Sequence, residues 1–218
     1  MTLLNASHPV WDLPTRLFHW VLAIAFVTSW ASHELAAIEV HRWSGYTTLI
    51  LVCFRISWGV FGSTHSRFTN FVTGPKAVLT YFRSGAKPHV GHNPAGGWSI
   101  LAMLLLILAQ TLTGLFNSDE LLFDGPFFHA LDSDWADSIG GLHETIFEVL
   151  SVLIGLHVLV VLYYKYRRKI DLIKPMITGG EDMKAQQVPI WWAVTALGFW
   201  SVALYTAIYF APAPKLPW

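Results

Sequence analysis

Three pairs of chemically capable side chains recur at one interval in this sequence. His19 and His33, His41 and Arg55, and His143 and His157 are each fourteen residues apart. On an α-helix, fourteen residues turn through ~1400°, about 40° short of four full turns, so both members of a pair share a face and stand ~21 Å apart along the axis. Neutral imidazole is the commonest metal-ligating side chain. The stretch 140–169, GGLHETIFEVLSVLIGLHVLVVLYYKYRRK, sets two of these imidazoles in a segment as apolar as lipid. Ionisable groups in such a setting are expensive and mark function.

The elements that carry them are membrane spans. Apolar residues make up 54% of the 218 and charged residues 13%, with a mean hydropathy of +0.46. A soluble domain carries about 25% charged residues. Zero formal net charge argues against a nucleic-acid partner. The single cysteine, Cys53, excludes an internal disulfide framework and a Cys-ligated iron–sulfur cluster. The N-terminus reads as no cleavable signal. Five windows are long enough to cross a bilayer: roughly 17–37, 43–62, 97–116, 144–164 and 190–211. A short surface helix is expected around 127–137.

The connections orient these spans. Loop 63–96 holds Arg67, Lys76, Arg83 and Lys87 without an acid, and loop 165–189 holds six basic residues against three acids. Loop 117–140 holds Asp119, Glu120, Asp124, Asp132, Asp134 and Asp137 with no Lys or Arg. Positive loops stay inside, so the N-terminus is expected inside and the C-terminus outside. Trp and Tyr near the span ends fit interfacial belts.

With that orientation the polar groups sort into an inner layer of His19, Arg55 and His157 and an outer layer of His33, His41 and His143. Paired imidazoles from different helices at two depths suit two b-type haems stacked across the bilayer. A zinc site would add carboxylates or thiolates at one depth. A proton relay would spread acids and histidines through the middle of the spans. Neither pattern is evident. Spacing alone allows either His33 or His41 as the outer ligand. Arg55 needs a counter-anion, and no acid in the neighbouring spans sits at its depth, so the expected partner is a propionate of the inner haem. Gly45, Gly114, Gly141 and Gly155 are small residues where a macrocycle or another helix could approach, and Thr113 either caps a carbonyl or touches the outer haem.

The segments WDLPTRLFHW (11–20), HRWSGY (41–46), FRISWGVFG (54–62), GHNPAGGW (91–98), TGL (113–115) and LHETIFEVLSVLIGLHVLVVLYY (142–164) together resemble the bacterial cytochrome b561 and nickel–iron hydrogenase b-type cytochrome family. The resemblance covers about residues 10–170. It implies an all-α integral membrane fold: a four-helix dihaem bundle over 1–170, followed by a linker and fifth transmembrane helix over 171–218. It also implies bis-histidine ligation of two haems b, the inner by His19 and His157 and the outer by His41 and His143. His33 then becomes a neighbour of the outer haem, directed towards a propionate. In relatives among formate dehydrogenase membrane subunits, quinone binds near the inner haem against an asparagine in the loop before span three; Asn93 is the matching position.

Bis-histidine haems carry electrons rather than oxygen. The implied function is electron transfer across a bacterial inner membrane between the quinone pool and a periplasmic partner. A c-type cytochrome or hydrogenase-type subunit with a basic face fits the acidic loop 117–140. Two alternatives are a superoxide:quinone oxidoreductase, disfavoured by the same acidic mouth, and a non-redox transporter or assembly protein.

Overall fold

The structure is a computed structural model that describes residues 10–84, 91–118, 123–181 and 185–212. Lys87, Asp119 and Glu120 of the sequence reading lie outside these residues. Among the described residues the regular structure is helical, apart from one isolated bridge between Ser118 and Asp124. In chain order the helices are α1 (Leu13–Glu34), α2 (Ile38–Phe61), α3 (Phe68–Phe71), α4 (Pro75–Arg83), α5 (Pro94–Gly114), α6 (Ser133–Tyr166), α7 (Ile173–Thr178) and α8 (Ile190–Tyr209), with a 3₁₀ turn at Phe128–Ala130.

The helix starts follow local chemistry. Asp12 caps α1 by accepting the Thr15 N–H at 2.9 Å, and Asn93 caps α5 by accepting the Gly96 N–H at 2.8 Å. A proline stands in the first turn of each, where a missing N–H does no harm. These caps move α1 and α5 a few residues upstream of their apolar windows. The expected surface helix at 127–137 is instead absorbed: α6 begins at Ser133 and runs without a break. Gly140 and Gly141 sit inside it without breaking it, because no proline removes a backbone donor there. At ~51 Å by helical rise, α6 outreaches a ~30 Å hydrocarbon layer, so its first turns project beyond the apolar zone.

Among the described residues, four helices are long and apolar enough to cross a membrane: α2, α5, α6 from Ser138 onward, and α8. The first predicted span, α1, is long enough but not apolar enough. Leu17, Val21, Ile24 and Val27 are exposed in one stripe at helical spacing, while Thr15, Phe18, Ala25 and Ser32 are buried. Polar and apolar residues share its buried face, and the polar ones lower the mean hydropathy without removing an outward apolar stripe.

Helix α2 is central. It packs against α1, α5 and α8, while α6 lies along α5. Two buried clusters hold the bundle. Phe18, Leu51, Phe54, Trp58 and Leu104 join Ala193 and Ala196 of α8 in one, and Val52, Ile107, Ile146 and Leu150 form the other. Trp200 of α8 also donates from Nε1 to Ser57 Oγ at 2.9 Å. The backbones of α1 and α2 make no comparably close contact with α6 among the described residues; side chains bridge that gap, including stacked Phe26 and Phe147 with centroids 6.1 Å apart.

Candidate functional site

The two histidine levels lie at opposite ends of the gap between α6 and the α1–α2 pair. One end carries the described parts of the basic connections, 62–84, 91–93, 167–181 and 185–189, and the other those of the acidic connection, 115–118 and 123–132.

At the acidic end, His41 of α2 and His143 of α6 present their rings to one another with centroids 6.4 Å apart and planes inclined at 73°. Two imidazoles bonded through one nitrogen each to a metal at ~2.0 Å, from opposite sides, have centroids about 6 Å apart. Each ring is also fixed by its other nitrogen. His41 Nδ1 donates to the Ser29 carbonyl at 2.9 Å. His143 Nδ1 donates to Thr113 Oγ1 at 3.0 Å, while that hydroxyl donates back to the Ala109 carbonyl at 2.9 Å. Both bonds place the proton on Nδ1 and leave the Nε2 lone pair for a metal. Thr113 therefore bonds a helix carbonyl, as considered for it, and its hydroxyl also contacts His143.

The surroundings accommodate these rings. A Cβ on Gly114 would stand 3.0 Å from His143 Cε1, and a Cβ on Gly45, one turn after His41, would meet nothing within 4 Å. Ser29 and Ser44 join α1 to α2 through a 2.6 Å hydroxyl contact at the same level. His33 is exposed, its ring centroid 5.8 Å from that of His41. Gln110 is a contact the sequence reading missed. Its Nε2 donates to His143 Nε2 at 3.0 Å, and its buried Oε1 has no hydrogen-bond partner. It is the one amide in the apolar run of α5, which is the signal that pointed to it.

At the basic end, His19 of α1 and His157 of α6 lie within electrostatic reach of each other. His19 Nδ1 is buried without a partner. Arg55 is 2% exposed, donates from Nη1 to the Ser66 carbonyl at 3.0 Å and lies over the rings of Phe68 and Phe71 at 5.2 and 6.0 Å. The acid whose charge reaches it is Asp12. Spacing arguments missed Asp12 because it precedes α1 and belongs to no span. Its Oδ2 accepts from Trp58 Nε1 at 2.8 Å and Ser66 Oγ at 3.3 Å, and Ser66 Oγ meets Thr15 Oγ1 at 2.7 Å. One carboxylate thus ties α1, α2 and the following loop together.

His92 lies between Trp11 and Phe71, with ring centroids 4.5 and 4.4 Å away. Burial, reinforced by the charges of Arg55, His65 and His157, lowers its pKa to about 3. Asn93 spends its Oδ1 on the α5 cap. On the acidic connection, Asp124 receives Ser118 Oγ at 2.7 Å and faces His129 Nε2 at 3.0 Å, while Asp132 and Asp134 are exposed.

The donor set fits an iron porphyrin: imidazoles from separate helices, Nδ1 anchored at the acidic level, and no third His, Cys, Asp or Glu completing another metal cluster among the described residues. The sequence model of one family, described as prokaryotic cytochrome b561, matches residues 10–179. No match to the chain was found among curated proteins or among solved structures.

Proposed function

Because the chain belongs to the prokaryotic cytochrome b561 family, we propose that it is a dihaem b-type cytochrome of the bacterial inner membrane, carrying electrons between the quinone pool and a periplasmic redox protein. The observation that carries this reading is the facing of His41 and His143, each with Nδ1 already bonded. Haem b, when bound, supplies one-electron ferric–ferrous exchange.

The chain's own residues do the holding. His41 and His143 would ligate the outer haem, and His19 and His157 the inner one. Ser29 and Thr113 fix the outer imidazoles in the ligating tautomer. His33 stands beside the outer pair, where it would bond a propionate. Arg55 stands in the inner layer, its charge shared between Asp12 and an inner propionate. α1 completes the membrane crossing as a fifth span, with the N-terminus inside and the C-terminus outside. Residues 171–218 add a linker and the last span.

Quinone would bind near the inner haem beside the loop that carries Asn93, whose Nδ2 remains for a quinone carbonyl while Oδ1 caps the helix. A basic c-type cytochrome or hydrogenase-type subunit would dock at the acidic end, where Asp132 and Asp134 are exposed. The test is a pyridine haemochrome assay on purified protein, with a haem-to-chain ratio near two expected. Material without b-type bands would overturn the reading and favour a non-redox role. Rapid oxidation of superoxide coupled to quinone would favour the oxidoreductase alternative.

A further inference from the structure

The contact between Gln110 and His143 has a chemical consequence. Thr113 Oγ1 accepts a hydrogen bond from His143 Nδ1–H, so Nε2 carries the lone pair, and the Gln110 amide donates into that same lone pair at 3.0 Å. A nitrogen has one such pair. An amide hydrogen and an iron therefore exclude one another there. Building on the reading of His143 as an outer-haem ligand, we infer that Gln110 is an internal competitor for the outer haem site: its amide hydrogen and an iron exclude one another at His143 Nε2, so the amide must rotate away for haem to bind.

Two features make this a latch that opens. Gln110 gains one hydrogen bond in this position and leaves Oε1 buried without a partner, so the arrangement is poorly satisfied. Gly114, one turn along α5, lies beside the His143 ring, where a Cβ would stand only 3.0 Å from Cε1, so the ring and the amide share a space that a larger residue would crowd. The latch also keeps the imidazole ready. With Gln110 on Nε2 and Thr113 on Nδ1, the ring is held in the tautomer and orientation that ligation needs, rather than turning to pair elsewhere. Gln110 is thus a positioning residue that delays loading while preserving its geometry.

The full-length chain, produced without haem in detergent micelles and titrated with haemin, tests this through the Soret band. In Gln110→Leu and Gln110→Asn the competing amide is absent or too short to reach. Outer-haem affinity should rise about five-fold in each, the equivalent of one neutral hydrogen bond. Inner-haem uptake serves as the internal reference and should not change. Unchanged outer affinity in both variants, with His143→Ala losing the outer haem, would overturn the competitor role while leaving the ligand assignment intact. Retention of both haems by His143→Ala would overturn the ligand assignment and this inference with it.

Discussion

His41 Nδ1 lies 2.9 Å from the carbonyl oxygen of Ser29, a residue on the neighbouring helix. That bond can form only if the ring carries its proton on Nδ1. It therefore commits Nε2 to acceptance before any metal arrives, and backbone geometry rather than another side chain sets it. His33, although fourteen residues from His19 and 5.8 Å from His41, is exposed.

The first prediction follows from that difference. His41→Ala should lower the haem-to-chain ratio from about two to about one, because the outer iron loses one of its two imidazoles. His33→Ala should keep both haems and change only the midpoint potential of the outer one. The ratio is read by pyridine haemochrome and the potential by redox titration. Loss of a haem in His33→Ala, with both retained in His41→Ala, would reverse the assignment.

A second prediction concerns Asp12 and Arg55. Both are about 2% exposed, the Asp12 charge reaches Arg55, and Ser66 links them, its carbonyl accepting from Arg55 and its hydroxyl donating to Asp12. Removing one of two coupled buried charges leaves its hydrogen-bond partners unsatisfied and the other charge less compensated, at a cost of about 1–3 kcal/mol. Arg55→Gln should therefore destabilise the protein strongly. Asp12→Asn should do the same and should also loosen α1, because Oδ1 caps that helix and Oδ2 holds Trp58. The double variant should be less damaged than the sum of the two. Thermal unfolding in detergent, read as a double-mutant cycle, measures the coupling; strict additivity would show that the pair does not interact.

Much of this fold was legible in the sequence, for physical reasons that also explain what was not. Helices α2, α5, α6 and α8 are apolar over a bilayer's thickness, so hydropathy finds them. Helix α1 sets Thr15 and Ser32 beside Phe18 and Ala25 on its buried face, and those polar residues lower the average that hydropathy measures. Helix α6 extends eleven residues upstream of its apolar window, because a helix continues through polar residues wherever nothing breaks its hydrogen bonds. Spacing assigned His19, His33, His41, His143 and His157 a depth and a face but left His33 and His41 as equal candidates; the resemblance favoured His41, whose ring meets that of His143 while His33 is exposed. The contacts that Ser29, Gln110 and Thr113 make with those histidines could not be read from spacing, since which side chain meets which across two helices depends on their rotation and tilt. Asp12 escaped for a simpler reason: it lies 43 positions before Arg55 and outside every span.

A third prediction is a pH dependence at His92. Its pKa in the folded protein is about 3, against an ordinary value near 6.5 when exposed, so the unfolded chain binds the proton more readily. Stability contributed by the neutral ring is complete above pH 6.5. It falls as the pH drops from about 6.5 towards 3, with a slope of at most ~1.4 kcal/mol per pH unit. His92→Phe keeps an aromatic ring between Trp11 and Phe71 and should flatten this part of the profile. Unfolding midpoints between pH 7 and 4 for both proteins give the comparison; parallel profiles would place the acid sensitivity elsewhere.

The last prediction tests the acidic end as a docking surface. Asp124 is engaged by Ser118 and His129, so its charge is partly answered within the loop. Asp132 and Asp134, at the start of α6, are exposed, and Asp132 makes no side-chain cap bond despite its position. Replacing both with Asn therefore removes two charges while taking away at most the modest benefit of acids near a helix start, about 0.3–1 kcal/mol each. A basic c-type cytochrome, used as a probe with reduced protein, should associate several-fold more slowly with the double variant at low ionic strength. The difference should close as salt approaches 0.15 M and beyond, where screening acts over about 8 Å. Stopped-flow oxidation at a series of salt concentrations reads both effects. Rates that depend neither on salt nor on these two residues would mean that the partner approaches another face.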